Sequence, residues 1–138
     1  MYQYGPLWVI PLVWPGTVAN IYLSYTSPSH SHARLVYASA AALYFSVLPL
    51  TFFYMEPGVN GAAKWKVQIL LRDEGFSMPE GMVWKPSAHR HASTLATREW
   101  AERVEMREIV ERWVRTNHLR WVVAGVAAGL SGYATLCC

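Results

Sequence analysis

Three long stretches of the chain carry no charged residue. Residues 5–26, 35–55 and 121–138 contain no Asp, Glu, Lys or Arg. Because an α-helix rises about 1.5 Å per residue, roughly 20 apolar residues match the hydrocarbon thickness of a bilayer. The pattern therefore predicts an all-α membrane protein with three spans, at about residues 5–26, 35–55 and 119–138.

The polar residues lie between the second and third stretches. Residues 56–92 are rich in Gly, Pro and Trp without a sustained period, which predicts a loop. Ser93 or Thr94 suits a helix N-cap, and residues 95–118 contain neither Gly nor Pro. Opposite charges follow one turn apart in four pairs, namely Arg98 with Glu102, Glu99 with Arg103, Arg107 with Glu111 and Glu108 with Arg112. An amphipathic helix over residues 94–118 is expected to run without a break into the third span.

Small residues recur at helical spacing on the predicted spans. Ala38 and Ala42 lie four residues apart, and Gly125, Gly129 and Gly132 continue the pattern on the last span. Such faces allow two helices to approach closely in lipid. The chain of 138 residues is expected to form one domain, and its small-residue faces leave a homo-oligomer open.

The charge distribution excludes one class of partner. Of 12 Lys and Arg residues, only Arg34 and Arg120 lie outside residues 56–118, which also hold all 9 acidic residues. Interleaved charges of both signs lack the one-sided basic stripe that nucleic acid requires, so the lipid bilayer is the expected partner. The adjacent Cys137 and Cys138 are poorly placed to join distant parts of the chain by a disulfide.

The densest polar group lies where the last span begins. Spacings of four and three residues put Trp113, Asn117 and Arg120 on one helical face, with His118 and Trp121 alongside. An aromatic plane, an amide and a fixed cation together suit a flat anionic or phenolic ligand. The alternative interpretation is interfacial anchoring, since Trp and Arg are both enriched at membrane surfaces.

Candidates for proton transfer are few. Glu56 and Asn60 follow the second span, and Glu56 is a candidate base if it is partly buried. His118 is another, because imidazole exchanges between its neutral and charged forms near neutral pH. The pairs His30 with His32 and His89 with His91 give incomplete ligand sets, so no metal site is predicted.

Two short motifs resemble a known family. Trp113-x-x-x-Asn117-x-x-Arg120, together with the run from Pro49 through Thr51 and Pro57 to Asn60, is similar to the anthrone oxygenase-like family of small integral membrane proteins, the fungal branch in particular. Members typically have four spans, so the resemblance implies that the first helix is missing here.

The resemblance also implies a function. Characterised members oxidise anthrones to anthraquinones with O2, without metal, flavin or haem, in the polyketide biosynthesis of secondary metabolism. It implies catalytic roles for Asn117 and Arg120 and substrate-binding roles for Trp113, Asn60 and Thr51. The substrate-binding role of Trp121, and Glu56 or His118 as a catalytic base, come from the residues alone. An endomembrane such as the endoplasmic reticulum is the expected location. The alternatives are a non-catalytic membrane protein that binds partner helices and a truncated inactive member.

Overall fold

The described part of the chain is helical. The computed structural model describes residues 5–83 and 85–138; residue 84, within the predicted loop, lies outside this description. An isolated bridge between Glu80 and His91 pairs extended backbone within the described residues. The helices are α1 (Gly5–Thr26), α2 (His32–Pro49), a π-helix (Leu50–Asn60), α3 (Gly61–Leu70), a 3-10 turn (Arg72–Glu74), α4 (Leu95–Arg103) and α5 (Met106–Cys137). The predicted all-α fold is confirmed.

Two of the helices in the described ranges are long and apolar enough to cross a membrane. One runs without interruption over His32–Leu70, 39 residues, and the other is Met106–Cys137, 32 residues. They contain the second and third predicted spans. Helix α1 has the predicted bounds Gly5–Thr26, but its crossing of the membrane stays a prediction.

The first half of the predicted loop is helical instead. Residues 56–70, expected to be irregular, continue the second helix as the π-helix and α3. Pro57 lacks a backbone N–H and so interrupts an α-helical ladder, whereas wider i→i+5 turns carry the chain past it. Burial of Val59 and Ala62 outweighs the weak helix propensity of the Gly and Pro residues here.

The predicted amphipathic helix is broken into two. It begins as expected, because the Thr94 side chain accepts a hydrogen bond from the Thr97 N–H. It ends at Arg103, and α5 starts only at Met106, so the expected continuous helix was wrong. The backbone is extended at Val104, between Ala101 and Ile109, and both of these residues lie in one buried cluster.

The predicted charge pairs form in part. Arg107 and Glu111 pair at 2.9 Å as expected. Arg98 instead pairs with Glu80, and Arg103 donates to the backbone carbonyl of Glu99 at 3.1 Å. The Arg112 guanidinium lies over the Trp100 ring, 4.9 Å from its centroid. Partners brought by the loop and by the helix break thus replace helical neighbours.

The chain forms two compact units, and the one made of Leu7–Pro49 and Leu119–Cys138 buries small and polar residues. Its core joins Ala33, Val36 and Tyr37 to Ala134, and the Tyr37 and Thr135 hydroxyls lie 3.0 Å apart. Leucine and tryptophan side chains point outward instead, with Leu12, Trp121 and Leu136 between 70% and 86% exposed. A large apolar outer surface is suited to contact with lipid.

The small residues singled out in the sequence do not make this core. Ala38 and Ala42 are exposed, while Ala40 and Ala41 beside them are buried. Gly125, Gly129 and Gly132 have open space where a Cβ would stand, with no atom within 4 Å from the described residues outside the adjoining backbone of α5. The face predicted to pack against another helix is therefore uncovered within the described residues.

The other unit contains Leu50–His118 and brings the π-helix, α3, α4 and the start of α5 together. Val59 and Ala62 pack against Ala101 and Ile109, all at most 3% exposed. Trp65, Trp100 and Trp113 are partly buried around this cluster. The cluster positions the polar residues described next.

Candidate functional site

A buried ion pair lies at the end of the π-helix. The Lys64 ammonium is 2.5 Å from Oε1 of Glu56, and the Asn60 amide donates to Oε2 at 2.8 Å. Their spacing of four and eight residues puts all three on one side of the continuous helix. Exposure of the side chains is 7% for Lys64 and 2% for Glu56. The pair is thus almost completely removed from solvent.

This ion pair is held because each charge satisfies the other. A buried charge that loses its partner costs several kcal/mol, so neither residue is easily replaced alone. Oδ1 of Asn60 is buried without a hydrogen-bond partner among the described residues. It is an acceptor lying beside a carboxylate whose two oxygens are already engaged.

The structure brings several predicted site residues together on the π-helix. Thr51, Glu56 and Asn60 are all buried there. Glu56 is therefore buried, as its candidate role as a base required. Both of its carboxylate oxygens already accept hydrogen bonds, one from Lys64 and one from Asn60. Lys64 was not assigned a role from the sequence, although its place eight residues after Glu56 on an unbroken helix signals the contact.

The residues on α5 have unequal surroundings. Trp113 packs against the cluster that contains Val59 and Ala62, so its ring already has partners from the π-helix and α3. Asn117 is half-buried and His118 is exposed. They share the unit of Leu50–His118 with Glu56.

Arg120 and Trp121 belong to the other compact unit. Arg120 is half-buried and Trp121 is 70% exposed. The exposed indole fits the anchoring interpretation of this residue, because interfacial tryptophans present their rings to the headgroup region.

A second polar cluster surrounds His91 and was not anticipated. Arg98 donates through Nε to the Ser93 hydroxyl at 3.2 Å, and the Ser93 hydroxyl lies 2.9 Å from Nδ1 of His91. Because a guanidinium only donates, the Ser93 hydroxyl accepts from Arg98 and links it to the His91 ring. The ring also meets Trp65 edge-on at 5.2 Å. The imidazole is therefore held between the Ser93 hydroxyl and the Trp65 ring.

Burial lowers the pKa of His91, and the positive charges of Arg98 and Lys64 lower it further, against a smaller opposing effect of Glu80. The hydrogen bond and charge of Arg98 lower the pKa of the Glu80 carboxyl. His91 thus joins a network instead of pairing with the exposed His89. Among the described residues, no group of three or more His, Cys, Asp or Glu side chains is arranged to hold a metal ion.

An open groove of about 350 Å³ lies in the same unit. One wall comes from the π-helix, a second from the start of α4, and Arg112 from α5 completes it. The lining residues are Phe53, Tyr54, Pro57, Gly58, Val59, Thr94, Ala96, Thr97, Trp100 and Arg112. The volume falls within the range of small-molecule sites. Sequence reasoning missed this groove because its walls meet only after the helix break at Val104.

Helices suited to a bilayer, an outward apolar surface and a buried ion pair define an integral membrane protein with a polar site. The sequence matches the anthrone oxygenase family over residues 1–130, and the chain belongs to that family. The match includes every site residue predicted from the sequence. No curated protein and no solved structure is significantly similar to the chain. Family membership gives the protein an oxygenase-like role.

Proposed function

We propose that this protein is a membrane-bound, cofactor-independent oxygenase that oxidises an anthrone-like polycyclic phenol to a quinone with O2. The observation that carries the proposal is the family match over residues 1–130. The setting is fungal secondary metabolism, in polyketide biosynthesis, and the location is an endomembrane such as the endoplasmic reticulum. The motifs at Trp113, Asn117 and Arg120 support this assignment.

The reaction needs a base and an anion site more than a cofactor. Removal of a proton from the central CH2 of an anthrone leaves a delocalised phenolate-like carbanion, which passes one electron to O2. Recombination forms a C–O bond, and the resulting hydroperoxide loses water to give the second carbonyl. One oxygen atom enters the quinone and the other leaves as water. Donors aimed at the developing negative charge lower the barrier most in such chemistry.

Residues of α5 supply these donors. The Asn117 amide and the Arg120 guanidinium stabilise the carbanion, and Trp113 and Trp121 provide aromatic surface. Thr51 and Asn60 contribute polar contacts from the π-helix, where both are buried. The buried, partnerless Oδ1 of Asn60 supports a role in accepting a hydrogen bond from a bound hydroxyl.

The base is Glu56 or His118, and their surroundings differ. Glu56 must release one of its two hydrogen-bonded oxygens before it accepts a proton. His118 is exposed and needs no such rearrangement. A base is expected within hydrogen-bond reach of the proton in the substrate complex, even where the unliganded geometry is looser.

Oxygen consumption by the reconstituted protein tests the proposal. Supplied with anthrone, membranes with the protein should consume one O2 per quinone above autoxidation, and 18O2 should label one quinone oxygen. Asn117→Ala and Arg120→Ala should each lower the rate by about 10²-fold or more, as for loss of an oxyanion donor. Arg115→Ala, an exposed change on the same helix, should not. A rate equal to that of empty membranes across a set of anthrones contradicts the proposal.

A separate pair of variants distinguishes the two bases. Glu56→Gln alone leaves the Lys64 ammonium without its counter-charge, so it is combined with Lys64→Met to remove both charges. If Glu56 is the base, this double variant folds and loses activity while His118→Gln keeps it. The opposite result assigns the proton transfer to His118. Full activity in both variants rules out both residues.

A non-catalytic role has one observation in its favour. The uncovered face at Gly125, Gly129 and Gly132 is of the kind on which membrane helices associate, including a second copy of this chain. If association is the function, Gly129→Leu abolishes a crosslinked oligomer in membranes. Under the oxygenase proposal, the same change leaves the rate per chain unaltered.

A further inference from the structure

The groove in the unit of Leu50–His118 is lined mainly by aromatic and apolar side chains. Phe53 and Tyr54 come from the π-helix and Trp100 comes from α4. Phe53 and Tyr54 are exposed, whereas Trp100 is half-buried. Aromatic walls favour a flat ligand, because offset stacking and edge contacts need ring surfaces on both partners.

Arg112 gives this groove a positive charge. Its guanidinium lies 4.9 Å from the Trp100 ring centroid, which fixes the cation at the edge of the aromatic wall. No acidic side chain is among the lining residues of this groove. The five N–H donors of a guanidinium suit a carboxylate or a phenolate.

Hydroxyl groups stand on the α4 wall. Thr97 lines the groove together with the cap residue Thr94, and their hydroxyls are 2.8 Å apart. One of the two can turn towards a ligand carbonyl or hydroxyl while the other keeps the helix capped. The groove therefore combines a flat apolar floor, one cation and a neutral polar edge.

We propose that this groove binds a flat polycyclic aromatic anion, with Trp100 as the stacking ring and Arg112 as the counter-charge. The assignment rests on the proposed function, since the phenolate form of an anthrone has this chemistry. Trp100 and Trp113 both pack against the buried cluster of this unit, but only Trp100 is among the residues that line the groove. Arg112 and Trp100 thereby join the substrate-binding residues.

Binding of a stable probe tests the groove without turnover. Anthraquinone-2-carboxylate supplies a flat anion, and anthraquinone-2-carboxamide is its uncharged match. The protein in phosphatidylcholine nanodiscs should bind the carboxylate about tenfold more tightly, as expected for one charged hydrogen bond. Arg112→Gln should abolish this preference, whereas Arg115→Gln, three residues away and outside the groove lining, should preserve it.

A second variant fills the groove without removing a core contact. Ala96 is exposed and lines the groove, so Ala96→Leu should weaken both probes at least about fivefold while the unfolding transition stays in place. Trp100→Leu should do the same if it folds. Unchanged binding of the carboxylate in both Arg112→Gln and Ala96→Leu overturns the inference.

Lipid headgroups are the competing anion. If phosphatidylglycerol displaces the carboxylate from the native chain but not from Arg112→Gln, the groove takes a lipid phosphate and the aromatic assignment is wrong. Oxygen consumption separates this result from failure of the proposed function. Normal anthrone oxidation by Ala96→Leu overturns the groove alone, whereas selective probe binding without any turnover retains the groove and overturns the oxygenase.

Discussion

The pair of Glu56 and Lys64 is the most deeply buried of the ion pairs in the described residues. Sequence reasoning selected Glu56 for its place at the end of a span, but it assigned Lys64 to a loop. The helix continues instead, and the eighth residue after Glu56 returns to the same side. The sequence thus identifies a residue that belongs to a motif, whereas the identity of its ion-pair partner can be predicted only when the end of the helix is known.

Lys64→Met should destabilise the protein by about 3–5 kcal/mol, because it leaves the Glu56 carboxylate buried without a cation. Chemical unfolding in detergent micelles, followed by tryptophan fluorescence, measures the free energy. Lys66→Met provides the control, since Lys66 is only half-buried. Addition of Glu56→Gln to Lys64→Met should recover most of the loss, and equal destabilisation by the single and double changes would contradict the ion-pair explanation.

His91 should make the stability of the protein depend on pH. Burial and the charges of Arg98 and Lys64 lower its pKa in the folded state, with Glu80 opposing them. The unfolded chain therefore binds more protons near and below the ordinary value of 6.5, so stability is fully present above that pH and falls as the pH drops through the folded pKa.

Unfolding midpoints at about pH 8 and about pH 5 measure this dependence. His91→Gln should reduce the difference between the two midpoints, whereas His89→Gln, at an exposed position, should leave it unchanged. If the difference between the two midpoints is the same in the native chain and in both variants, His91 is not the origin of the pH dependence.

At the level of the elements, α3 and the segment before α4 meet at a glycine. A Cβ placed on Gly61 would lie 2.8 Å from the Ser93 Cα, a backbone atom that cannot turn aside. This close approach brings Ser93 and His91 onto α3 and places the start of α4 beside the π-helix. The sequence places Gly61 in the predicted loop of residues 56–92, because the contact that requires a glycine comes from 32 residues away.

Gly61→Ala should therefore destabilise the protein by about 1–3 kcal/mol, the cost typical of overpacking, even though alanine favours helix. Gly58→Ala is the matched control, since its Cβ would meet nothing within 4 Å, and it should be neutral or slightly stabilising. Unfolding curves of the two variants measure the difference in their free energies of unfolding. Hydrogen exchange should be faster at residues 91–94 in Gly61→Ala, and protection equal to that of the native chain would contradict the contact.

At the level of the whole molecule, the distribution of apolar side chains is the feature that matters. Val122 and Val126 on α5 are 61% and 50% exposed, with Leu136 still more so, while the buried positions on that helix include Ala127 and Ala134. An outward apolar surface over an interior of small residues is stable in lipid, where apolar exposure carries no cost.

Val126→Arg should oppose membrane insertion by about 2.5–3.5 kcal/mol, the cost of an arginine near the centre of a spanning helix. Val110→Arg is equally exposed on the same helix but lies in its charged part, so insertion should be unaffected. Resistance to alkaline carbonate extraction measures both. Equal extraction of the two variants would show that residue 126 does not lie in the bilayer.

The uncharged stretches made much of the fold predictable, and the two short motifs made the family predictable. Long uncharged stretches require helices in lipid whatever their neighbours are, so the bounds of α1 and the presence of the later spans followed from composition. The extent of the second helix did not follow, since Pro57 and the flanking glycines oppose it locally. The break at Val104 could not be predicted from the sequence either, because it accompanies contacts that α4 and α5 both make with the π-helix.

The sequence by itself determined the helical class, the position of the apolar segments, the Thr94 cap and membership of the anthrone oxygenase family. Each of these depends on residues that are close together in the chain or on a short motif. Tertiary structure alone decided that Lys64 pairs with Glu56, that His91 is buried beside Arg98, and that Trp100 and Arg112 line one groove. These contacts depend on how far the second helix continues and on which segments pack together, and their energies depend on burial, which no local pattern contains.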